Sequence, residues 1–225
     1  MNAIVKDVMT AQVVAVRHGA SFKEMAARLR QSRVSAFPVI DDEGKVIGVV
    51  SEADLLTKEV LAGGHDRMPG MITGMLERQE QKKAGGLTAG DLMTHPAVTV
   101  RPEDSVEHAA RLMYTLQVKR LPVVNAGGRL VGIISRADVL AVYDRPDAEI
   151  RREVIDDVTS RESREGRREL AVTVQAGVVT LEGSLETAAL GYDIVHKVRH
   201  IQGVVAVRDR LGYPGMHSVV AGSVF

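Results

Sequence analysis

The 225-residue chain sets 29 basic side chains against 29 acidic ones, so no bulk field draws it toward nucleic acid or an anionic membrane surface. Aromatic residues make up 3% of it with no Trp, too few for the stacking platforms of single-strand binding, and the lack of Cys removes disulfides, thiol nucleophiles and thiolate metal sites. The leading MNAIVKDVMTAQVV has no apolar core of export-signal length, and no apolar stretch approaches the roughly 20 residues of a spanning helix. A cytoplasmic protein is expected, with nucleic acid an unlikely partner.

In chain order, VVAV at 13–16 reads as a short strand, and Phe22, Met25, Ala26 and Leu29 recur at helical spacing. FPVI at 37–40 and KVIGVV at 45–50 are rich in β-branched residues, and Asp41-Asp42-Glu43-Gly44 supplies hairpin-turn chemistry between them. A further helix is expected from Ser51. After 62–86, where Gly pairs flank a charged stretch and one linker helix is expected, the same order returns. VTV at 98–100, a helix through Val106, Ala109, Ala110 and Met113, LPVVN at 121–125, RLVGII at 129–134 and a helix from Ser135 repeat it.

The recurrence is a repeat at an offset of 84 residues, ungapped from Asp7–Leu56 to Asp91–Leu140. Identical pairs include Met9/Met93, Thr10/Thr94, Pro38/Pro122, Gly48/Gly132, Ser51/Ser135 and Asp54/Asp138. Two β-α-β-β-α copies each have one apolar sheet face to cover, and packing them together covers both.

Beyond Asp144-Arg145-Pro146 the pattern changes. Glu149, Ile150, Val154, Ile155 and Val158 predict a helix, and LAVTV at 170–174 and VVTLEG at 178–183 predict strands around Gln175-Ala176-Gly177. Leu190, Ile194, Val198 and Ile201 predict a second helix ended by Gly203, and VVAVRDRL predicts a last strand. The order is αββαβ. The closing YPGMHSVVAGSVF reads as a flexible tail.

A repeat that opens DVMT or DLMT, centres on a hydrophobic-Pro-Val strand and closes with Gly-hydrophobic-hydrophobic-Ser-x-x-Asp resembles the CBS (cystathionine-β-synthase) domain. The resemblance places CBS domains at 1–61 and 87–143, with 62–86 as linker, in one pseudo-two-fold module of mixed α/β (α+β) class. It implies a non-enzymatic regulatory protein that needs no cofactor, binds AMP, ADP, ATP or S-adenosylmethionine between the copies, and pairs as a homodimer through its CBS modules. GVVTLEGSL and IQGVVAVRDRL make 147–212 resemble the BON domain, ahead of a tail at 213–225. That likeness implies an affinity for phospholipid or for a protein partner not identified by sequence.

Asp54 and Asp138 each stand three residues after a Ser at a strand-to-helix junction. There a carboxylate can take both hydrogen bonds of a ribose diol, while the Ser hydroxyl and free helix N–H groups suit a phosphate. Ser-x-x-Asp is equally a capping box that needs no ligand. The copies differ before the Pro-Val strand, where Lys119-Arg120 of the second matches Ser35-Ala36 of the first. The resemblance implies that basic residues at these positions neutralise ligand phosphates, and that the ribose-binding Asp comes from the partner copy. It assembles Val49, Ser51 and Asp54 with Val98, Lys119, Arg120 and Pro122 as the preferred nucleotide site. A second site combines Ile133, Ser135 and Asp138 with Val14, Ser35, Ala36 and Pro38. The charges beside an apolar strand can also be guards against aggregation, and Arg136 can reach across and cancel the asymmetry.

No GxxxxGK[ST], HExxH or GxSxG occurs, so no catalytic residue is expected. His196 and His200 lie one helical turn apart, yet no carboxylate or third His has companion spacing, and no metal site is expected. The competing function is an interaction scaffold with a vestigial CBS cleft, acting through its last third.

Overall fold

The computed structural model describes residues 3–62, 87–159 and 167–213. Of the linker expected at 62–86 with its helix, all but Ala62 lies outside the described residues, as does the tail expected at 213–225 beyond Tyr213. The chain forms two compact units, Val5–Arg136 and Ala137–Phe225, the latter joined by Met1–Ile4. Among the described residues no helix is long and apolar enough to cross a membrane.

The first copy contains α1 (Val5–Val8), β1 (Val16–Arg17), α2 (Phe22–Ser32), β2 (Ala36–Ile40), β3 (Val46–Ser51) and α3 (Glu52–Ala62). Ser21 starts α2 by accepting the Glu24 N–H at 3.3 Å. Met25 and Leu29 carry its apolar face into the core with Phe37, Val39 and Val50. β2 and β3 form an antiparallel hairpin registering Ala36 with Ser51 and Pro38 with Val49. Asp41 Oδ1 ties its turn by accepting the Lys45 N–H at 2.7 Å, and Gly44 takes the positive φ of 79° that the turn requires. The second copy follows with α4 (Ala89–Leu92), α5 (Val106–Thr115), β4 (Arg120–Val124), β5 (Leu130–Ser135) and α6 (Arg136–Ala141). Its hairpin repeats the register, Arg120 with Ser135 and Pro122 with Ile133.

The expected strand at 13–16 is shorter, because β1 pairs with β2 only through Val16 and Arg17. In the second copy the 98–100 strand contracts to a single parallel bridge, Val100 to Val123. The reason lies in where the preceding residues go. Thr10 and Ile133 exchange backbone hydrogen bonds at 2.9 and 3.0 Å, and Thr94 and Val49 do so at 2.9 and 3.1 Å. The chain therefore spends residues 11–15 and 95–99 returning from the other copy's edge strand to its own sheet.

The short helices α1 and α4, absent from the periodicity argument, dock in the same crossed fashion. The Val5 N–H donates to Asp104 O and the Ala89 N–H to Ala20 O, both at 2.8 Å. Ala89 and Leu92 are fully buried inside the first copy's core. Each copy thus completes the other, and burying a Leu side chain in this way contributes about 1.5–3 kcal/mol.

The C-terminal unit holds α7 (Asp147–Thr159), β6 (Arg167–Gln175), β7 (Val178–Leu185), α8 (Ala188–Arg199) and β8 (Ala206–Gly212), in the αββαβ order read from sequence. The sheet order is β6-β7-β8, with β6–β7 antiparallel and β7–β8 parallel. Ile150, Val154, Ile194 and Val198 bring both helices onto Val172, Val179, Leu181 and Leu185. β6 begins three residues earlier than LAVTV. α8 ends at Arg199 with His200 as its cap, while Gly203 supplies a φ of 90° in the turn beyond. Asp147 closes the β6–β7 turn, accepting the Ala176 and Gly177 N–H groups at 2.7 and 2.8 Å.

Candidate functional site

The strand-to-helix junction of the first copy is built by the hairpin. β3 ends at Ser51, and the Ser35 carbonyl accepts the Glu52 N–H at 3.0 Å, so α3 starts against the residue that leads into β2. Asp54, in the first turn of α3, turns its carboxylate back. Its Oδ2 accepts the Ser51 N–H at 2.8 Å and the Ser51 hydroxyl at 2.7 Å. This is the reciprocal arm of the capping geometry, and it holds the carboxylate at the mouth of the helix. Val49, Ser51 and Asp54 are all half-buried.

From the second copy, Val98 lies two residues before Val100, whose N–H donates to the Pro122 carbonyl at 3.1 Å. Lys119 is exposed and Arg120 half-buried, at the start of β4. Two connections join these residues to the first copy. Thr94 pairs with Val49 through the backbone, and the Arg120 guanidinium donates from Nη2 to the Ser35 hydroxyl at 2.5 Å. Ser35 was grouped by sequence with the second site. The structure sets it against Arg120 of the first, a partnership that only tertiary contact reveals; the visible signal was the mismatch of Ser35-Ala36 with Lys119-Arg120.

Arg136 stays on its own copy. Its Nε donates to the Val118 carbonyl at 3.2 Å and its N–H to the Lys119 carbonyl at 3.1 Å. For the second grouping, Ile133 joins Thr10, Val14 lies two residues before Val16, and Pro38 registers with Val49. Ala36 and Pro38 are buried, while Val14, Ser35, Ile133 and Ser135 are half-buried. Asp138, in the first turn of α6, falls in the C-terminal unit.

Two concavities lie away from these residues. One of about 820 Å³ beside β1 has charged walls that neutralise one another, Arg17 with Asp42 at 2.6 Å and Arg28 with Glu24 at 3.0 Å. The other, about 700 Å³ in the C-terminal unit, sets Glu149 and Glu153 of α7 near His196 and His200 of α8. His200 directs Nδ1 to the His196 carbonyl at 2.7 Å, a helix-end arrangement. Among the described residues no group of three His, Asp or Glu side chains is placed to hold a metal ion.

The CBS domain family matches residues 5–60 and 89–145. The CBS domain-containing protein CBSX1, chloroplastic, of Arabidopsis thaliana is 36% identical over 120 residues, covering 50% of this chain and 51% of that protein. CBSX2 of the same plant is 35% identical over 133 residues, covering 56% of each. The matched stretch thus spans about half the length of these relatives. The crystal structure of CBSX2 in complex with AMP superposes with a TM-score of 0.53 at 35% identity, over 61% of this chain and 93% of that one.

Proposed function

The chain belongs to the CBS-domain family, and on that premise we propose that its paired repeats form a regulatory module for an adenosine-containing ligand bearing phosphate. The observation that carries this reading is the Arg120–Ser35 contact. It brings a guanidinium of the second copy to Ser35 of the first, whose carbonyl accepts the Glu52 N–H next to Ser51. A phosphate there meets a forked cation, and the junction carboxylate of Asp54 suits a ribose diol. AMP in CBSX2 supports the ligand class, and AMP, ADP and ATP share its chemistry.

In this reading residues 147–212 are a BON domain that passes the ligand state to a protein or phospholipid partner; the αββαβ order supports the assignment. The exposed Leu56, Tyr114 and Leu116 of the repeat unit support a homodimer through the CBS modules. Thermal unfolding of the full chain with AMP, ADP, ATP and S-adenosylmethionine tests the ligand. A ligand at a hundred times its dissociation constant adds about 2.7 kcal/mol, a readily measured shift. No shift with any of the four would replace the sensor by the interaction scaffold.

A further inference from the structure

Four methionines lie among the described residues, in two different settings. Met25 and Met113 are sealed in the interior of their own copies, 0% and 2% exposed. Met9 and Met93 are half-buried and end the leading helices α1 and α4, where their N–H groups donate to the Val5 and Ala89 carbonyls, each at 2.9 Å. Both side chains then reach across to the other copy. In each, the sulfur rather than the terminal methyl is the atom nearest to where a Cβ would stand on the facing glycine, Gly132 for Met9 and Gly48 for Met93. The residues that follow, Thr10 and Thr94, make the backbone bridges to Ile133 and Val49 that join the copies. One thioether therefore packs beside each bridge.

We propose that Met9 and Met93 are paired oxidation sites through which a hydroperoxide loosens the joint between the copies. The sulfide sulfur attacks the peroxide. An S–O bond forms as the O–O bond breaks, the sulfur loses two electrons, and the peroxide leaves as water or an alcohol once its proton has moved to the departing oxygen. The sulfoxide is larger and polar at the one atom that faces a glycine with no room for a Cβ. The side chain is then expelled from the facing strand, and the Thr10–Ile133 and Thr94–Val49 bridges weaken with it. Burial withholds Met25 and Met113 from the oxidant. A thiol-dependent sulfoxide reductase removes the oxygen as water while its thiols become a disulfide, so the change is reversible.

The test treats the folded full chain with dilute hydrogen peroxide, maps the added oxygen by peptide mass spectrometry and reads stability by urea denaturation. Met9 and Met93 are expected to gain oxygen well before Met25 and Met113, and the ratio of folded to unfolded repeat unit to fall about 5- to 30-fold as they do. Methionine sulfoxide reductase should restore the midpoint. The Met9→Leu/Met93→Leu variant, apolar without sulfur, should show no fall at the same dose. Where Leu itself disturbs the packing, the wild-type midpoint followed against oxygen at residues 9 and 93 decides without it. An unchanged midpoint in wild type oxidised at both residues overturns the proposal. So does equal oxidation of all four methionines, or a fall in the Leu variant as large as in wild type.

Discussion

Met93 of the second copy lies on Gly48 of the first, so closely that a Cβ on Gly48 would collide with its side chain; Met9 stands in the same relation to Gly132. The glycines are required by the crossing of the copies rather than by their backbone angles. Each leaves room on an edge strand for the methionine that ends the other copy's leading helix.

Gly48→Ala and Gly132→Ala are each expected to destabilise the repeat unit by about 1–3 kcal/mol through overpacking. Shortening the facing side chain should relieve the clash, so Gly48→Ala combined with Met93→Ala loses less than the two single effects added. Urea denaturation reads both quantities, and strict additivity would contradict the contact.

Asp91 gives the same joint a pH dependence. The Thr88 hydroxyl, then the Leu87 and Thr88 N–H groups, donate to its carboxylate and hold its pKa below the ordinary 3.8, with the His18 charge adding a little; slight burial opposes them. A depressed folded-state pKa contributes stability that is present above the unfolded value of 3.8 and is lost as pH falls through the lower folded value. Asp91→Asn should therefore be less stable than wild type at neutral pH, with the gap closing on acidification below 3.8. Denaturation midpoints measured against pH check this, and a constant gap would contradict it.

The carboxylate of Asp147 takes the N–H groups of both Ala176 and Gly177, whose φ angles of 50° and 73° define the tight β6–β7 turn. Asp147→Ala leaves two turn donors without that acceptor and is expected to cost about 1–3 kcal/mol. Hydrogen exchange should speed up at Ala176 and Gly177 more than along the centre of β7.

Asp54→Ala is expected to abolish AMP binding at the site that contains Arg120, while Asp138→Ala should leave that site intact. Calorimetry with each variant separates them. Equal losses would remove the asymmetry between the two groupings.

Sequence alone determined the repeat and its register, because Ser-x-x-Asp, Pro-Val and the paired glycines recur at one offset and local hydrophobic periodicity reports strands and helices wherever one face is buried. It also determined the αββαβ order of the last third. It could not assign Met93 to Gly48, Ala89 and Leu92 to the first copy's core, or Ser35 to Arg120. The first of these pairings spans 45 positions and the last 85, and no local propensity encodes which copy supplies the partner. The capping contact of Asp54 with Ser51 was legible because it spans three residues on one helix turn. The direction of Arg120 was decided in tertiary structure, where crossing of the copies put a hydroxyl of the first within reach of a guanidinium of the second.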